Sequence, residues 1–265
     1  MSTRNPMPGS PVVVITGGAT GIGRTMAARF LREGYRVHVG DADPRAVEEF
    51  CAAHRGASGS TADIANVAQV DTLFDEVQSR YGRLDVLVNN VGIAGPIAPV
   101  ESISPADWDR TIAVDLNGWF YCTRRAVPML KSAGGGSIIN ISSSAAFFGT
   151  PQRAPYVACK WALIGLTKTL AMELGPDRIR VNAICPGCVQ GPRIDGVIER
   201  DAASRGRTAA EIRAMYLRQS SMRLFVSAED VANLAYFLAS AQGATISGQA
   251  IGVDGHTESL SSWLD

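Results

Sequence analysis

The chain has 265 residues, of which 46% are hydrophobic, and this is enough apolar material for the core of one large α/β domain. Lysine plus arginine and aspartate plus glutamate number 25 each, so no global positive charge attracts nucleic acid or a membrane surface, and we expect neither as a partner. No apolar run is long enough to span a bilayer, and residues 1–10 lack the apolar core of a signal peptide. Five cysteines without such a signal favour reduced thiols, so we expect a cytoplasmic protein. Residues 1–10 are polar and contain proline, and we expect them to form a flexible N-terminus.

The first predicted elements are a strand, a glycine-rich turn and a helix. Residues 12–15 form a β-branched run that is typical of a buried parallel strand. Gly17, Gly21 and Gly23 then allow the backbone to approach a pyrophosphate closely, and a helix over residues 22–33 directs its N-terminus at that charge. Such a turn alone is weak evidence, because many glycine-rich turns serve only helix packing, but the strand before it and the helix after it favour a dinucleotide site.

A second predicted strand, residues 36–40, ends at Asp41, about 20 residues past the glycines. An acidic residue at this point binds the ribose 2′-hydroxyl of NAD and repels the 2′-phosphate of NADP. We therefore expect NAD as the cofactor, with Arg24 and Arg45 as the two nearby residues that would favour NADP instead.

The middle of the chain predicts a strand followed by a long helix. Residues 84–90 are predicted as the fourth strand, and open α/β sheets bind ligands at the carboxyl end of such a strand. Ser104 is predicted as a helix N-cap, because Pro105 suits the first helical position and an acidic residue follows three positions after the cap. This helix is expected to run through Asp115 to about Lys131, where three glycines end it before the fifth strand.

The candidate catalytic residues follow that fifth strand. Tyr156 and Lys160 are four residues apart on a predicted helix, so the phenol and the ammonium share one face. A cation within ~4–6 Å favours an ionised phenol, which suits Tyr156 to act as a general base. Ser143 ends the predicted strand at residues 137–143 and is placed to polarise a substrate oxygen. The alternative is an ordinary surface pair and a turn serine, which the short Tyr-x-x-x-Lys pattern alone does not exclude.

The last third of the chain predicts a helical insertion and a final strand. Residues 192–224 are rich in Arg, Glu and Ala and are predicted as a mobile lid over the substrate, or else as a solvated helical insertion. Ser227 is predicted to cap a further helix, and residues 248–255 to form the last strand. The tail, residues 256–265, exceeds what the sheet requires and is expected to meet a neighbouring subunit.

Cys185 and Cys188 form a Cys-x-x-Cys pattern, which suits redox chemistry or half of a metal site. No second cysteine pair with zinc spacing accompanies it, and the three histidines are scattered. We therefore expect no metal.

Four motifs occur together and in order. They are the turn of residues 16–23, Asn89-Asn90-Val91-Gly92, Ser143 with Tyr156 and Lys160, and Pro186-Gly187. In this combination, which is far more specific than any one motif, the chain resembles the short-chain dehydrogenase/reductase family over residues 11–255. The resemblance implies one domain over these residues, built as a doubly wound, Rossmann-like parallel sheet of about seven strands with helices on both faces.

The resemblance also implies roles for individual residues. The implied catalytic set is Ser143, Tyr156, Lys160 and Asp115. The implied cofactor contacts are Gly17, Thr20, Gly21, Ile22, Gly23, Asp41, Asp63, Ile64, Asn90, Tyr156, Lys160, Gly187 and Val189, with Asp63 accepting from the adenine amine and Lys160 binding the nicotinamide ribose. Two helices of the family pack against neighbouring subunits, which implies a homotetramer.

The chain departs from the family at two positions. Asp115 replaces an asparagine whose backbone carbonyl holds a water linked to the catalytic lysine; aspartate preserves that carbonyl but loses the amide hydrogens. Gly191 replaces a threonine that binds the nicotinamide carboxamide, which leaves backbone groups near Val189 to hold the ring.

The implied activity is reversible hydride transfer between NAD and a small secondary alcohol or its ketone. The expected substrate contacts are Ser143, Ala145, Gln152, Arg153 and Arg193, which suit a sugar, a polyol, a hydroxy acid or a cyclic alcohol. The alternative is a 3-oxoacyl thioester reductase, whose substrate is a 3-oxoacyl thioester. Two hypotheses of other kinds are a cofactor-binding regulatory protein without turnover and an epimerase or dehydratase that uses NAD transiently.

Overall fold

The computed structural model describes residues 9–257 and contains a parallel sheet of seven strands. The strands are β1 (Val12–Thr16), β2 (Arg36–Asp41), β3 (Ala57–Thr61), β4 (Val86–Asn89), β5 (Gly136–Ile141), β6 (Ile179–Pro186) and β7 (Ala250–Val253). Their order across the sheet is β3-β2-β1-β4-β5-β6-β7, and every neighbouring pair is parallel. Residues 1–8 and 258–265, which hold most of the predicted flexible N-terminus and of the tail, lie outside the described residues.

Helices cover both faces of this sheet. They are α1 (Gly21–Arg32), α2 (Pro44–Ala53), α3 (Val67–Tyr81), α4 (Pro105–Ile112), α5 (Gly118–Ser132), α6 (Ala154–Leu174), α7 (Pro192–Arg205), α8 (Ala209–Gln219) and α9 (Ala228–Ala239). One group contains α1 packed against α9, and the other contains α3 packed against α5 and α4 against α6. The predicted doubly wound, Rossmann-like sheet of seven strands is therefore confirmed. Within residues 9–257, no helix combines the length and the hydrophobicity needed to cross a bilayer.

The sheet reverses its direction of growth at β1. The chain passes from β1 to β2 and β3 on one side, and β4 pairs with the other side of β1 in the register Val13 to Val86. The loops that follow β1 and β4 therefore diverge and leave a crevice at the carboxyl edge, where such sheets bind ligands. Residues 12–15 of β1 are all fully buried, as their β-branched run predicts.

The long helix predicted from Ser104 to Lys131 forms in two parts. Ser104 caps α4 as expected, since its Oγ accepts a hydrogen bond from the Asp107 N–H at 3.1 Å. Between α4 and α5 the chain adopts one π-helical turn over Ala113–Asn117. Such a turn inserts an extra residue into the helix, and here it contains the buried Asp115.

Strand β3 was not located by sequence pattern, although a third strand was implied. Its residues, Ala-Ser-Gly-Ser-Thr, contain no large apolar side chain, so they lack the alternation that indicates a strand. Ser58 and Ser60 are nevertheless buried, because both hydroxyls bond to the ring of His38 on β2. In this strand, hydrogen bonds between buried side chains take the place of hydrophobic packing.

The segment predicted as a lid forms α7 and α8, which pack on each other around Ile198, Ala202 and Ile212. We call this pair of helices the α7–α8 unit. Val189 and Val226, on either side of the unit, pair as a short parallel bridge. The unit is therefore an insertion whose two ends are held together by this bridge, next to β6.

Candidate active site

A cleft with a volume of about 1150 Å³ follows the carboxyl edge of the sheet. The predicted site residues that line it are Gly17, Thr20, Gly21, Ile22, Asp41, Asp63, Ile64, Asn90, Ser143, Ala145, Gln152, Arg153, Tyr156, Lys160, Gly187, Val189 and Arg193. Gly23 and Asp115 lie behind its wall and act on residues that line it. The structure thus brings the predicted cofactor and catalytic residues into one continuous cleft.

The N-terminus of α1 opens into this cleft without a competing anion. Thr20, the N-cap residue, makes no side-chain hydrogen bond to the helix, and the first turn contains no acidic residue. The free N–H groups and the positive end of the helix dipole are therefore available to an anion. Gly21 adopts a φ of +50°, and a Cβ added to it would meet open space. These features fit the pyrophosphate of a dinucleotide.

Gly23 and Asn90 hold the glycine-rich turn in place. A Cβ on Gly23 would lie 1.9 Å from the carbonyl oxygen of Gly17, so α1 can approach the turn only because this residue is glycine. The Asn90 side chain donates to the carbonyl oxygens of Thr16 at 3.0 Å and Gly17 at 3.1 Å. Asn90 therefore links the end of β4 to the turn after β1.

Asp41 lies at the end of the cleft that is remote from Tyr156. Its carboxylate accepts a hydrogen bond from the Ala19 N–H at 3.3 Å and stays at the cleft surface. Arg24 is held elsewhere, since it donates to the Ala19 carbonyl at 3.4 Å and its guanidinium lies 5.4 Å from the Phe50 ring centroid. Neither Arg24 nor Arg45 lines the cleft.

Asp63 and Ile64 form the wall next to Asp41. The Asp63 carboxylate accepts from the Ala65 N–H at 3.0 Å and pairs with Arg110 at 3.2 Å. Asp63 precedes α3, which begins at Val67 with Asn66 as its N-cap, so it is not part of the first turn of that helix. Ile64 is buried.

Ser143, Tyr156 and Lys160 lie at the opposite end of the cleft. Lys160 Nζ is 5.4 Å from the Tyr156 ring centroid, as their spacing on α6 predicts. Ser143 Oγ accepts a hydrogen bond from the Ala145 N–H at 3.2 Å, which leaves its hydroxyl hydrogen available to another acceptor. Within the described residues, the Tyr156 hydroxyl forms no hydrogen bond. Both hydroxyls are therefore available to a bound molecule.

Lys160 is buried and is held by three neighbours. Its Nζ lies 3.7 Å from Asp115 Oδ2, 3.5 Å from the Ile141 carbonyl oxygen and 4.8 Å from the Trp119 ring centroid. Asp115 is fully buried, and its Oδ1 accepts from the Ile93 N–H at 2.7 Å. The side chain of Asp115, and not only its backbone, therefore contacts the predicted lysine.

Burial raises the pKa of the Asp115 carboxyl, while the Lys160 charge, the Ile93 N–H and the Arg193 charge act in the opposite direction. Burial prevails because Oδ2 has no hydrogen-bond partner within the described residues, and 3.7 Å is too long for a hydrogen bond to Lys160. Asp115 compensates the lysine charge only in part.

Three of the predicted substrate residues, Ala145, Gln152 and Arg153, line the same cleft as Tyr156. Ala145 is buried in the cleft wall, and Gln152 is exposed at the rim with a φ of +64°. Arg153 places its guanidinium 4.6 Å from the Tyr156 ring centroid. Arg193 reaches from α7 across the cleft and donates to the Gly92 carbonyl at 3.2 Å.

The loop after β6 lies between the catalytic end and the α7–α8 unit. A Cβ on Gly187 would lie 2.8 Å from Asp254 Cβ, so this glycine allows close packing on the residues after β7. The backbone of Val226 bonds to Cys188 and Gln190, and these two bonds do not use the N–H or the C=O of Val189. All five cysteines, Cys185 and Cys188 included, are free thiols, and within the described residues no cluster could hold a metal ion.

Trp119, Gly92 and Tyr216 also belong to the site, although no role was predicted for them from the sequence. Trp119 contacts Lys160 and donates to the Val91 carbonyl at 2.8 Å, and its position four residues after Asp115 was the available signal. A Cβ on Gly92 would lie 3.2 Å from Lys160 Nζ. Tyr216 lines the cleft from α8, and burial raises its pKa to about 12. No local pattern indicates that a residue of α8 lines the cleft.

Comparisons with known proteins agree with this geometry. Residues 17–256 match a family model described as enoyl-(acyl carrier protein) reductase. The chain is 34% identical to a D-beta-hydroxybutyrate dehydrogenase of Rhizobium meliloti over 249 residues, which cover 91% of this chain and 96% of that protein. It is also 34% identical to the 3-oxoacyl-[acyl-carrier-protein] reductase FabG of Thermotoga maritima over 248 residues, covering 92% and 96%.

Among solved structures, the chain resembles an NAD⁺-bound xylitol dehydrogenase with a TM-score of 0.89 and 26% identity, covering 93% of this chain and 98% of that one. The family model and the relatives above 30% identity cover nearly the whole chain, including both ends of the cleft. The chain therefore belongs to the short-chain dehydrogenase/reductase family of oxidoreductases.

Proposed function

We propose that this protein is an NAD-dependent oxidoreductase that interconverts a small secondary alcohol and its ketone. The observation that carries this proposal is the grouping of Ser143, Tyr156 and Lys160 at one end of a cleft whose other end holds the glycine-rich turn and Asp41. A dinucleotide lying along the cleft joins the two ends.

In the direction of alcohol oxidation, Tyr156 takes the hydroxyl proton of the substrate. Its own hydroxyl has no competing partner within the described residues, and the Lys160 ammonium lies 5.4 Å from the Tyr156 ring centroid, where its positive charge stabilises negative charge that develops on the phenol oxygen during proton transfer. Ser143, whose Oγ accepts from the Ala145 N–H, donates to the substrate oxygen and holds it beside Tyr156. A bound nicotinamide ring supplies the hydride acceptor.

The preference for NAD over NADP rests on Asp41. A 2′-phosphate placed against this carboxylate meets repulsion, and neither Arg24 nor Arg45 lines the cleft to offset it.

The α7–α8 unit acts as the lid over the substrate in this proposal. Its joined ends at Val189 and Val226 allow it to move as one body, and its residues Arg193 and Tyr216 reach the cleft. Closure of such a lid excludes water from the reacting atoms.

A second candidate function is the reduction of a 3-oxoacyl thioester. The similarity to FabG of Thermotoga maritima favours it, and so does the apolar cleft wall formed by Ile97 and Phe148, which suits an acyl chain. The assay below separates the two candidates.

We also propose that the protein is a homotetramer. Trp108 on α4, Phe120 on α5, and Trp161 and Met172 on α6 are 40%, 55%, 50% and 83% exposed, which is unusual for side chains of this size. By contrast, Leu163 of α6 is buried in the core and does not belong to this surface. Light scattering on the purified protein tests the assembly, and a monomeric mass would contradict it.

The function is tested by following NADH formation from NAD, with NADP in parallel, over secondary alcohols, sugars, polyols, hydroxy acids and a 3-hydroxyacyl thioester. We expect reduction of NAD by at least one alcohol, and little reduction of NADP. Asp41→Ala should narrow the difference between the cofactors, while Asp43→Ala, which removes a neighbouring carboxylate outside the cleft, should preserve it. Cofactor binding without turnover of any substrate would favour a regulatory protein, and thioester turnover alone would favour the second candidate.

A further inference from the structure

The guanidinium of Arg153 lies beside Tyr156, at the catalytic end of the cleft. Arg153 is the N-cap residue of α6, three positions before Tyr156, and its guanidinium carbon lies 4.6 Å from the Tyr156 ring centroid. Its Nη2 donates to the Ala94 carbonyl at 3.0 Å, which fixes the side chain across the ring. The buried Nε has no hydrogen-bond partner within the described residues. The guanidinium therefore keeps donors unused beside Tyr156.

Neither Arg153 nor Arg193 forms an ion pair within the part of the chain that the structure describes. Two other arginines of the α7–α8 unit do: Arg205 pairs with Asp201 at 2.6 Å, and Arg213 pairs with Asp195. Arg153 and Arg193 thus bring positive charge to the cleft without an ion pair to a carboxylate of the described residues.

This arrangement carries a free-energy cost. Burial lowers the pKa of Arg153, and the positive charges of Arg193 and Arg200 act in the same direction. A partly buried cation without a partner is unfavourable unless a ligand supplies the opposite charge. An arginine in this setting is a binding group for a planar anion, because its fork of N–H donors matches a carboxylate in two places.

We propose that Arg153, with Arg193 on the opposite wall, forms an anion subsite that takes the carboxylate of a small hydroxy acid while the hydroxyl of the same molecule meets Tyr156. The inference rests on the proposed alcohol oxidation and narrows it to one substrate class. Because the guanidinium stacks on the Tyr156 ring itself, the carboxylate and the reacting carbon lie close together, which selects a short acid. Sugars and polyols lack the anion that this subsite requires.

A different role for Arg153 predicts a different result. If the guanidinium served only to favour the Tyr156 phenolate, its removal would reduce turnover of charged and neutral substrates equally. If it binds a carboxylate, its removal reduces turnover of acids and leaves neutral alcohols nearly unaffected.

The test compares kcat/KM for racemic 2- and 3-hydroxybutyrate with kcat/KM for the corresponding hydroxybutyramides, which differ in charge and hardly in shape. In the natural protein we expect one of the acids to exceed its amide on the order of 10²-fold, since a buried charge pair with bidentate hydrogen bonds is lost in the amide. Arg153→Gln should bring this ratio close to one, and Arg153→Lys should restore part of it. Arg200→Gln, which removes a nearby arginine that does not line the cleft, should leave the ratio unchanged. Equal acid and amide turnover in the natural protein, or an equal loss for both in Arg153→Gln, would overturn the subsite.

A binding measurement keeps this inference separate from the proposed function. Butyrate carries the carboxylate and no hydroxyl, so its calorimetric titration, with and without NADH, reports the subsite without turnover. We expect the dissociation constant to rise on the order of tenfold or more in Arg153→Gln and to stay constant in Arg200→Gln. Arg153-dependent butyrate binding without any alcohol turnover would contradict the proposed function and leave the subsite standing. Turnover of neutral alcohols without Arg153-dependent butyrate binding would do the reverse.

Discussion

His38 should make the protein less stable as the pH falls below about 6.5. The ring is buried on β2, and both nitrogens are bonded at 2.8 Å, Nδ1 to Ser58 and Nε2 to Ser60. Ser60 donates its hydroxyl hydrogen to Glu76, so Nε2–H must donate to Ser60 Oγ. Nδ1 is then an acceptor from Ser58, whose Oγ accepts from the Tyr81 hydroxyl at 2.6 Å. The network therefore requires a neutral imidazole.

The size of the effect follows from linkage. Burial, assisted by the Arg80 charge, lowers the pKa of His38 from 6.5 to about 4. Between these values the unfolded chain binds a proton that the folded chain does not, so the free energy of unfolding falls as the pH falls. Each pKa unit corresponds to about 1.4 kcal/mol, which gives a loss of about 2 kcal/mol from pH 7.5 to pH 5 and about 3.5 kcal/mol once the pH is below 4.

The assay is urea denaturation at pH 7.5 and pH 5 for the natural protein and for His38→Gln. Glutamine offers one donor and one acceptor to the two serines but does not titrate, so the loss between the two pH values should shrink by about 2 kcal/mol in this variant. Tyr81→Phe is the matched control, because it removes the last hydroxyl of the network and leaves the imidazole, and it should keep the full pH dependence. An equal loss in His38→Gln and the natural protein would refute this reasoning.

Three further substitutions test the site and its supports. Asp115→Leu should lower the free energy of unfolding by about 2 kcal/mol, as measured by urea denaturation, because it leaves the Ile93 N–H without its acceptor. Gly23→Ala should weaken NADH binding on the order of 10²-fold, as followed by NADH fluorescence, since its Cβ would lie 1.9 Å from the Gly17 carbonyl oxygen. Ser227→Ala should cost about 1 kcal/mol in thermal or urea unfolding, because it removes the N-cap of α9.

Matched variants separate these effects from general damage. Asp115→Asn keeps an acceptor for the backbone N–H and removes a carboxyl whose pKa is raised by burial, so it should cost less than about 1 kcal/mol. Gly196→Ala, whose Cβ would meet only the end of the Arg200 side chain, should leave NADH affinity unchanged. Equal destabilisation by Asp115→Leu and Asp115→Asn, undiminished NADH affinity in Gly23→Ala, or unchanged stability in Ser227→Ala would each contradict the corresponding argument.

The parts of the fold that could be predicted from the sequence are those determined by residues close together in the chain. The β-branched run of β1 is buried, and the caps at Ser104 and Ser227 bond to the helices that they precede. In each case a few neighbouring residues determine the backbone, so a short window of sequence contains the information.

The parts that sequence missed depend on contacts between distant residues. The buried serines of strand β3 are explained only by their hydrogen bonds to His38, which lies on the neighbouring strand β2, 20 and 22 residues earlier in the chain. The π-helical turn at Asp115 has no local pattern, and the contact of Asp115 with Lys160 joins α6 to the segment between α4 and α5. The stacking of Arg153 on Tyr156 likewise depends on the Ala94 carbonyl, which lies on another loop.

The proposed mechanism depends above all on Tyr156 acting as the base. Tyr156→Phe removes one oxygen and leaves the ring on which Arg153 stacks, so NADH binding should persist while the rate of alcohol oxidation falls on the order of 10³-fold. Tyr216→Phe removes the other cleft phenol, whose pKa is raised to about 12, and should keep at least about ten times the turnover of Tyr156→Phe. Single-turnover measurement of NADH formation in both variants gives the answer. Full activity in Tyr156→Phe, or an equal loss in the two variants, would contradict the assignment of Tyr156 as the base.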